Sequence, residues 1–451
     1  MPESQVTRIS SGSILTKSAD CGFFTPVTVP RPGTYLGSAN GSNARKTDAP
    51  MLLQPLRLKS LEFKNRLFLS PMAQYSCKPG TGVPTDYHLV HYGQFAMRGV
   101  ACVMTEATAV APNGRMTPED TGIWGDEHVA AWKRIVDFVH SQGAYMGLQL
   151  NHAGRRGSVY TPQILEQFPD LESHVCPPDA GGWTDVWAPS ALPYSPKYIT
   201  PVEMTLKDIE LFKKQWKQAV LNGVKAGFDV IELHISHGYL LHNFISPLSN
   251  KRKDRYGGSI ENRMRLILEI AEITIQNWPK DKPVFCRLSA TDWYKGGEKD
   301  TSGKYVSWGL EQSAILMERL IEMGIDFFDI TSGGLEYDQA VWPSPGYNAP
   351  LAASLRKRFP KIPMGTVGLI KSPERAEEIL QSGAADVISL GRELLRQADF
   401  LLNAATKFGA QIQLPTQWHR AITWSGLVIP GPQMAGPTEH TADAISGAAR
   451  L

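Results

Sequence analysis

The sequence predicts a single (β/α)8 barrel, in which eight parallel strands alternate with helices. Short apolar runs alternate with segments of helical periodicity from residue 51 to residue 420. Four of the helical segments end on a glycine, as helix C-caps commonly do: Gly143, Gly227, Gly324 and Gly383. Parallel neighbours need crossover connections, so eight such units favour a closed barrel. An open doubly wound sheet is the alternative, but no GxGxxG follows the first strand.

The eight predicted strands are short and rich in β-branched and aromatic residues. They cover residues 66–72, 101–107, 145–150, 229–235, 284–289, 327–331, 363–367 and 386–390. Ser259 and Ser372 stand immediately before helical segments, where a hydroxyl can accept a hydrogen bond from a free backbone N–H. We therefore expect both serines to be helix N-caps.

Three segments depart from the minimal barrel. Residues 1–50 are rich in Ser, Thr, Gly, Pro and Asn and are predicted to be an irregular N-terminal extension. Residues 421–451 are predicted to be a C-terminal tail, so the barrel domain occupies residues 51–420. Within it, residues 151–205 make a long connection with many prolines and aromatic residues. A connection of that length is usually a functional loop or lid.

Composition excludes several classes of protein. The chain has 451 residues, 46 basic and 44 acidic, and its net charge of +2 does not indicate a nucleic-acid partner. Five scattered cysteines without a CxxC pair argue against a disulfide framework or structural zinc. The first residues lack the pattern of a signal peptide, and no apolar run approaches the roughly 18 residues of a membrane span. We expect a cytoplasmic protein that does not associate with membranes.

The C-terminal strand ends carry the polar residues, and in a barrel all of these ends face one site. The residues at or just beyond these ends include Ser70, Pro71, Met72, Ala73, Ala107, Gln149, His234, His237, Tyr239, Arg287, Gly368, Gly391 and Arg392. The last two strand ends are the usual phosphate position in barrels, because glycines let backbone amides approach phosphate oxygens. A glutamine, an arginine and two glycine turns suit a flat polar heterocycle with a phosphate tail. The strand ends therefore point to flavin mononucleotide (FMN).

Four segments resemble the old yellow enzyme family of FMN-dependent ene-reductases. They are LSPMAQYS, GLQLNHAGR, ELHISHGYLLHNFISPLSNKRKDRYGGSIENR and SLGRELL. The third is long and specific, whereas LGREL alone would be weak. HxxHxY is similar to the branch that includes the thermophilic-like bacterial enzymes, and the long connection resembles fungal versions of that branch. The resemblance covers roughly residues 51–420.

The resemblance implies a role for each residue that would hold FMN. Ser70, Pro71, Met72 and Ala73 would line the flavin, with Ala107 beside the ring. Gln149 would bond the pyrimidine edge, and Arg287 would lie near N1 and O2, where a cation stabilises the reduced ring. Gly368, Gly391 and Arg392 would hold the phosphate.

The resemblance also implies the reaction. His234 and His237 would donate to the carbonyl of an electron-poor alkene, and Tyr239 would protonate the α-carbon after hydride from flavin N5 reaches the β-carbon. Tyr75 would be a second substrate-side hydroxyl, and NADPH or NADH would supply the hydride. Arg420 would reach a neighbouring site in a homodimer. This chain has Ala73 where the branch usually has a cysteine, so the flavin's potential is an open question.

Each of these assignments has a plainer alternative. HxxH could bind a metal, although no third ligand stands at a recognisable spacing. Arg287 could form an ion pair with a carboxylate of a neighbouring strand. Gly391-Arg392 could be an ordinary turn. At the level of function, the alternatives are an ene-reductase with one bulky substrate, a flavin-binding protein without turnover, and a metal-dependent barrel hydrolase.

Overall fold

The computed structural model describes residues 28–38, 49–418 and 420. The predicted C-terminal tail, 421–451, and most of the predicted N-terminal extension, 1–50, lie outside the described residues. The strands, in chain order, are β1 Tyr35–Ser38, β2 Leu56–Leu58, β3 Leu61–Phe63, β4 Leu67–Leu69, β5 Cys102–Met104, β6 Thr108–Ala109, β7 Tyr145–Asn151, β8 Trp187–Ala188, β9 Val202–Glu203, β10 Val230–Ile235, β11 Val284–Ser289, β12 Phe327–Thr331, β13 Met364–Thr366, β14 Val387–Leu390 and β15 Ala410–Ile412. The helices are α1 Asp86–Met97, α2 Asp126–Ser141, α3 Pro162–Gln167, α4 Leu206–Ala226, α5 Leu240–Ile245, α6 Ile260–Asn277, α7 Leu310–Met323, α8 Ala349–Arg358, α9 Pro373–Gln381, α10 Arg392–Arg396 and α11 Phe400–Lys407.

Eight parallel strands close into a barrel. Their order around the barrel is β4, β5, β7, β10, β11, β12, β13 and β14, and β14 pairs with β4 to complete the ring. The register pairs His234 with Arg287 and Arg287 with Asp329 on successive strands. Since paired residues in a sheet point to the same side, the register places these three side chains together inside the barrel. The predicted (β/α)8 fold is confirmed, and the open doubly wound sheet is excluded.

All eight predicted strands are present, but several are shorter than predicted. β4 ends at Leu69 and β5 at Met104, whereas the predicted strands continued to residues 72 and 107. Ser70 still donates its N–H to the carbonyl of Leu390, after which the chain leaves the ladder. After β5 the chain leaves the ladder only briefly, because Thr108 and Ala109 pair again with β7 as the short strand β6.

Both predicted N-caps and two of the four predicted C-caps are confirmed, and the other two C-caps lie one residue earlier than predicted. Ser259 and Ser372 cap their helices by accepting the backbone N–H three residues on. Gly227 and Gly324 are left-handed C-caps of α4 and α7. The caps of α2 and α9 are Gln142 and Ser382, and the predicted glycines follow one residue later with positive φ.

Two hydrophobic cores lie on the two sides of the barrel wall. The larger fills the space between strands and helices, and the smaller fills the barrel's lower interior with Phe68, Phe285 and Phe327. The hairpin of β2 and β3 closes that end with Leu61 and Phe63. The Phe285 and Phe327 ring centroids are 4.4 Å apart. The polar upper interior therefore lies on a closely packed apolar floor.

The predicted long connection is built onto the barrel. It contains α3, β8 and β9 and runs from β7 to α4. Arg252, from the segment after α5, donates to the carbonyls of Pro189 at 3.1 Å and Met204 at 2.6 Å. Because a buried guanidinium fixes both carbonyls, this end of the connection is held against the face that carries the strand ends.

Candidate active site

The centre of the site is the turn from Ser236 to Tyr239, directly after β10. His237 has a φ of +59°, which is uncommon for a residue with a side chain, and Gly238 has a φ of +74°. The His237 N–H donates to Ser289 Oγ at 3.1 Å. A Cβ on Gly238 would lie 2.2 Å from the carbonyl oxygen of Gly334. The turn therefore requires a glycine and is held from the adjacent strand.

The two histidines share one hydroxyl. Ser236 Oγ lies 2.9 Å from Nδ1 of His234 and 3.1 Å from Nδ1 of His237. Nε2 of His237 lies 3.1 Å from Thr331 Oγ1. Burial lowers the pKa of both imidazoles well below its usual range, and Arg287 adds to the effect. Both rings are therefore neutral at pH 7 and can each donate one N–H.

Tyr239 lies beside the histidines. Its ring centroid is 4.9 Å from that of His234, and its hydroxyl donates to Met116 Sδ at 2.7 Å. Burial raises the pKa of Tyr239, and burial followed by the neighbouring Tyr239 raises that of Tyr75. Both phenols therefore keep their protons at neutral pH. Tyr75 and Tyr239 are partly exposed at the mouth of the barrel.

The floor of the site is a buried polar cluster. Gln149 Nε2 donates to Glu232 Oε1 at 2.7 Å, and Arg287 Nε lies 3.3 Å from Asp329 Oδ2. The ion pair considered for Arg287 is thus present. Burial and the nearby Asp329 raise the pKa of Glu232, because two carboxylates share a single guanidinium. Glu232 and Asp329 were missed by the sequence interpretation, although charged residues inside buried strands are a recognisable signal.

The cofactor end is a cleft of about 330 Å³ at the mouth of the barrel. It is lined by predicted residues from five strand ends: Ser70, Pro71, Met72, His237, Arg287, Gly368, Gly391 and Arg392. Lys371, Arg396 and Tyr347 also line it and were not predicted. A Cβ on Gly391 would lie 3.1 Å from Met72 Sδ, so the chain around Met72 passes close to this turn. One continuous cleft thus joins the histidine end to the glycine end.

The remaining predicted residues do not line this cleft. Ala73 and Ala107 are half-buried at their strand ends, and the N–H of Gln74 donates to Glu106 Oε2 at 3.0 Å. Glu106 in turn lies 3.0 Å from His88 Nε2 in a fully buried pair. This pair was not predicted, and it fixes the backbone next to Ala73. Arg420 is exposed at the end of the described residues.

The donor set fits FMN on the evidence of buried polar atoms. Arg287 Nε, Asp329 Oδ1 and Thr366 Oγ1 are buried, and none makes a hydrogen bond within the described part of the chain. Buried polar groups normally have a partner, so a polar ligand is expected beside them. Gln149 and Arg287 would hold the ring, and Gly368, Gly391 and Arg392 the phosphate.

Neither a candidate metal-ligand cluster nor a candidate membrane-spanning helix is found in the part of the chain that the structure describes. Residues 28–38 and 49–418 contain no group of three His, Cys, Asp or Glu side chains placed to hold a metal ion. In those same ranges, no helix combines the length and the apolar character needed to cross a bilayer. His237 has a hydroxyl partner at each ring nitrogen.

The barrel and its polar cleft define a flavin-dependent oxidoreductase. Residues 51–410 match the family described as NADH:flavin oxidoreductase / NADH oxidase, which binds FMN, and the chain belongs to this family. It is 38% identical over 409 residues to an NADH:flavin oxidoreductase of Gibberella zeae, covering 89% of this chain and 93% of the relative. It is 38% identical over 374 residues to an NADPH dehydrogenase of Bacillus subtilis, covering 82% and 99%.

Solved structures of similar proteins support the same family assignment. An Old Yellow Enzyme from Pichia sp. has a TM-score of 0.61 and 28% identity, covering 82% of this chain and 89% of that one. Morphinone reductase in complex with tetrahydroNAD has a TM-score of 0.63 and 25% identity, covering 81% and 93%. The protein is an FMN-dependent oxidoreductase of the old yellow enzyme type, with NADH or NADPH as its electron donor.

Proposed function

We propose that the protein reduces the activated C=C bond of small electron-poor alkenes, such as enones, enals, maleimides and nitroalkenes. One observation carries the proposal. The end of β10 and the turn after it present two neutral imidazoles and a protonated phenol beside the cleft that fits FMN, and His237 also lines that cleft. Carbonyl polarisation, hydride delivery and carbon protonation can therefore occur around one bound alkene.

The histidines bind and polarise the substrate. Ser236 holds the neutral ring of His234 at Nδ1, so Nε2 of His234 can present its N–H to a carbonyl or nitro oxygen. His237 can add a second donor when the substrate oxygen replaces Thr331 Oγ1 at its Nε2. Negative charge develops on that oxygen when hydride adds to the β-carbon, so preorganised donors stabilise the transition state by a few kcal/mol. Bound FMN would supply that hydride after accepting it from the reduced nicotinamide.

Tyr239 supplies the proton. Burial keeps its phenol protonated, and the sulfur of Met116 fixes the O–H without accepting the proton. Its ring lies beside His234, so a substrate held by the histidines would present its α-carbon toward the same side of the cleft. General acids placed in this way typically contribute 10²- to 10⁴-fold to the rate.

An anaerobic visible spectrum tests the proposal. The flavin band of the purified protein should bleach on adding NADPH and return on adding 2-cyclohexenone. If NADPH bleaches the band and ferricyanide restores it, but none of the four alkene classes does, alkene reduction is wrong and the protein is an oxidoreductase for another acceptor. Return with only a bulky alkene would instead support the narrower, single-substrate alternative.

A further inference from the structure

Arg156 joins the long connection to the catalytic turn. It follows the GLQLNHAGR segment and lies at the start of the 151–205 connection. Nη1 donates to the carbonyl of His237 at 2.7 Å, and Cζ lies 5.4 Å from the ring centroid of Tyr239. Tyr194, from the far end of the connection, lies 4.6 Å from the same Cζ. The guanidinium thus contacts two aromatic rings and the backbone between the catalytic side chains.

Within the described residues, the positive charge of Arg156 is not neutralised by a nearby carboxylate, so it acts on the Tyr239 and Tyr194 rings and the His237 carbonyl. Its neighbour Arg155 pairs with Glu336 at 2.8 Å, whereas no carboxylate in the described residues lies within ion-pair distance of Arg156. Arg156 also interacts electrostatically with Tyr198. A cation within about 6 Å of an aromatic ring is attracted to its face, and it also stabilises negative charge on a phenolic oxygen. Arg156 therefore opposes the effect of burial on Tyr239.

We propose that Arg156 is a positioning residue for proton transfer, coupling the 151–205 connection to Tyr239. Its hydrogen bond holds the carbonyl of His237, a residue in the left-handed region, and its charge favours loss of the Tyr239 proton to the substrate carbon. The ring of Tyr194, from the far end of the connection, packs against the same guanidinium. The connection is therefore part of the machinery for protonation as well as a cover. This inference rests on the proposed alkene reduction.

Three substitutions separate charge from hydrogen bonding. Arg156→Met removes both, Arg156→Gln keeps a planar donor without charge, and Arg156→Lys keeps the charge. Arg155→Met is the matched control, because it removes an adjacent buried cation that pairs with Glu336 and not with Tyr239. Holoenzymes with unchanged flavin content would be reduced with NADPH, then mixed in a stopped-flow instrument with either 2-cyclohexenone or ferricyanide, which needs no protonation of carbon.

Arg156→Gln and Arg156→Met should slow reoxidation by the enone about tenfold or more, which corresponds to about 1.4 kcal/mol in activation free energy. The solvent deuterium isotope effect on that step should increase, and Arg156→Lys should restore most of the rate. Reduction by NADPH and reoxidation by ferricyanide should be unchanged, as should every rate of Arg155→Met. If Arg156→Met does not fold, comparing the rates of Arg156→Gln and Arg156→Lys still shows whether the positive charge is required.

Two results would overturn the inference by itself. In the first, the Arg156 variants reduce the enone at the wild-type rate. In the second, reoxidation by the enone and reoxidation by ferricyanide are slowed equally, which would show that Arg156 has only a structural role. A wild-type enzyme that ferricyanide reoxidises and no alkene does would overturn the proposed function, and the role of Arg156 with it.

Discussion

His242 and Asp292 form a fully buried pair, with Nε2 of the imidazole 2.8 Å from Oδ1 of the carboxylate. Nδ1 of His242 accepts the N–H of Gly238 at 3.0 Å, so Nε2 carries the proton and donates it to Asp292. Gly238 lies between His237 and Tyr239. The pair therefore fixes the turn that carries the catalytic side chains, although neither residue reaches the cleft.

Replacing Asp292 by asparagine should weaken the turn. Asp292 Oδ2 also accepts from Ser246 Oγ at 2.6 Å and from the Trp308 N–H at 2.8 Å, and an amide cannot accept from all three donors. We expect a loss of about 1–3 kcal/mol in the free energy of unfolding. Enone reduction should fall at least tenfold, because small displacements of catalytic groups are costly.

The control for Asp292→Asn is Ser246→Ala, which removes one donor and leaves the His242 contact. It should lower the midpoint of chemical unfolding slightly and leave enone reduction within about twofold of wild type. Reduction by NADPH should be similar in both variants. An Asp292→Asn enzyme that is less stable but fully active would show that the pair supports the fold and not the turn.

Tyr239→Phe tests the proton donor directly. The ring contact with His234 is kept, while the hydroxyl that donates to Met116 is lost. The rate of reoxidation by 2-cyclohexenone should fall by about 10²- to 10⁴-fold. Ferricyanide should reoxidise the variant at the wild-type rate. Tyr145→Phe serves as the matched loss of a phenol, because Tyr145 packs against Phe63 at the opposite end of the barrel. An equal loss there would contradict a special role for Tyr239.

The sequence alone predicted the barrel because its signals are local. Alternating apolar runs and cap residues report on neighbouring positions in the chain, so Ser259, Ser372 and all eight strands were found in place. Strand ends were less accurate, since β4 and β5 stop where residues leave the ladder to form the site. That departure depends on packing around the whole barrel mouth.

The residues that support the site were harder to predict. Asp292 reaches His242 across 50 positions, and Arg156 reaches His237 across 81. Such contacts depend on how loops fold over the barrel mouth, for which one sequence holds no periodic signal. Glu232 was within reach, because an inward carboxylate beside Gln149 follows from strand register once the barrel is accepted.

Gly238→Ala should disrupt the catalytic turn more than backbone strain alone would. Gly238 and Gly383 have nearly equal φ angles of +74° and +71°. A Cβ at Gly238 would lie 2.2 Å from the Gly334 oxygen, whereas one at Gly383 meets no heavy atom within 4 Å. Gly383→Ala should cost only about 1 kcal/mol. Gly238→Ala should cost several-fold more and abolish enone reduction, measured by chemical unfolding and turnover. Equal costs would mean that strain, not the contact with Gly334, makes the glycine necessary.

Asp120 should make the stability of the protein depend on pH. Its Oδ2 accepts the N–H groups of Met116 and Thr117, and Met116 contacts Tyr239. Burial and, secondarily, Glu106 raise the pKa of Asp120 from 3.8 to about 7. The native state therefore binds this proton more tightly than the unfolded state between pH 4 and pH 7. Its contribution to the free energy of unfolding is largest below pH 4, falls as the pH rises and is lost above pH 7.

Asp120→Asn should remove this dependence, because the amide oxygen can still accept from the backbone and cannot ionise. Relative to the variant, wild type should lose at most about 4 kcal/mol between pH 4 and pH 8, or about 1.4 kcal/mol per pKa unit. Urea unfolding of the holoenzymes at pH 4.5, 6 and 8 measures the difference. Asp185→Asn changes an exposed residue of the 151–205 connection, and its free energy of unfolding should depend on pH in the same way as that of wild type. If Asp120→Asn also runs parallel to wild type, Asp120 is ionised in the native protein throughout, and its hydrogen bonds to Met116 and Thr117 outweigh the cost of burial.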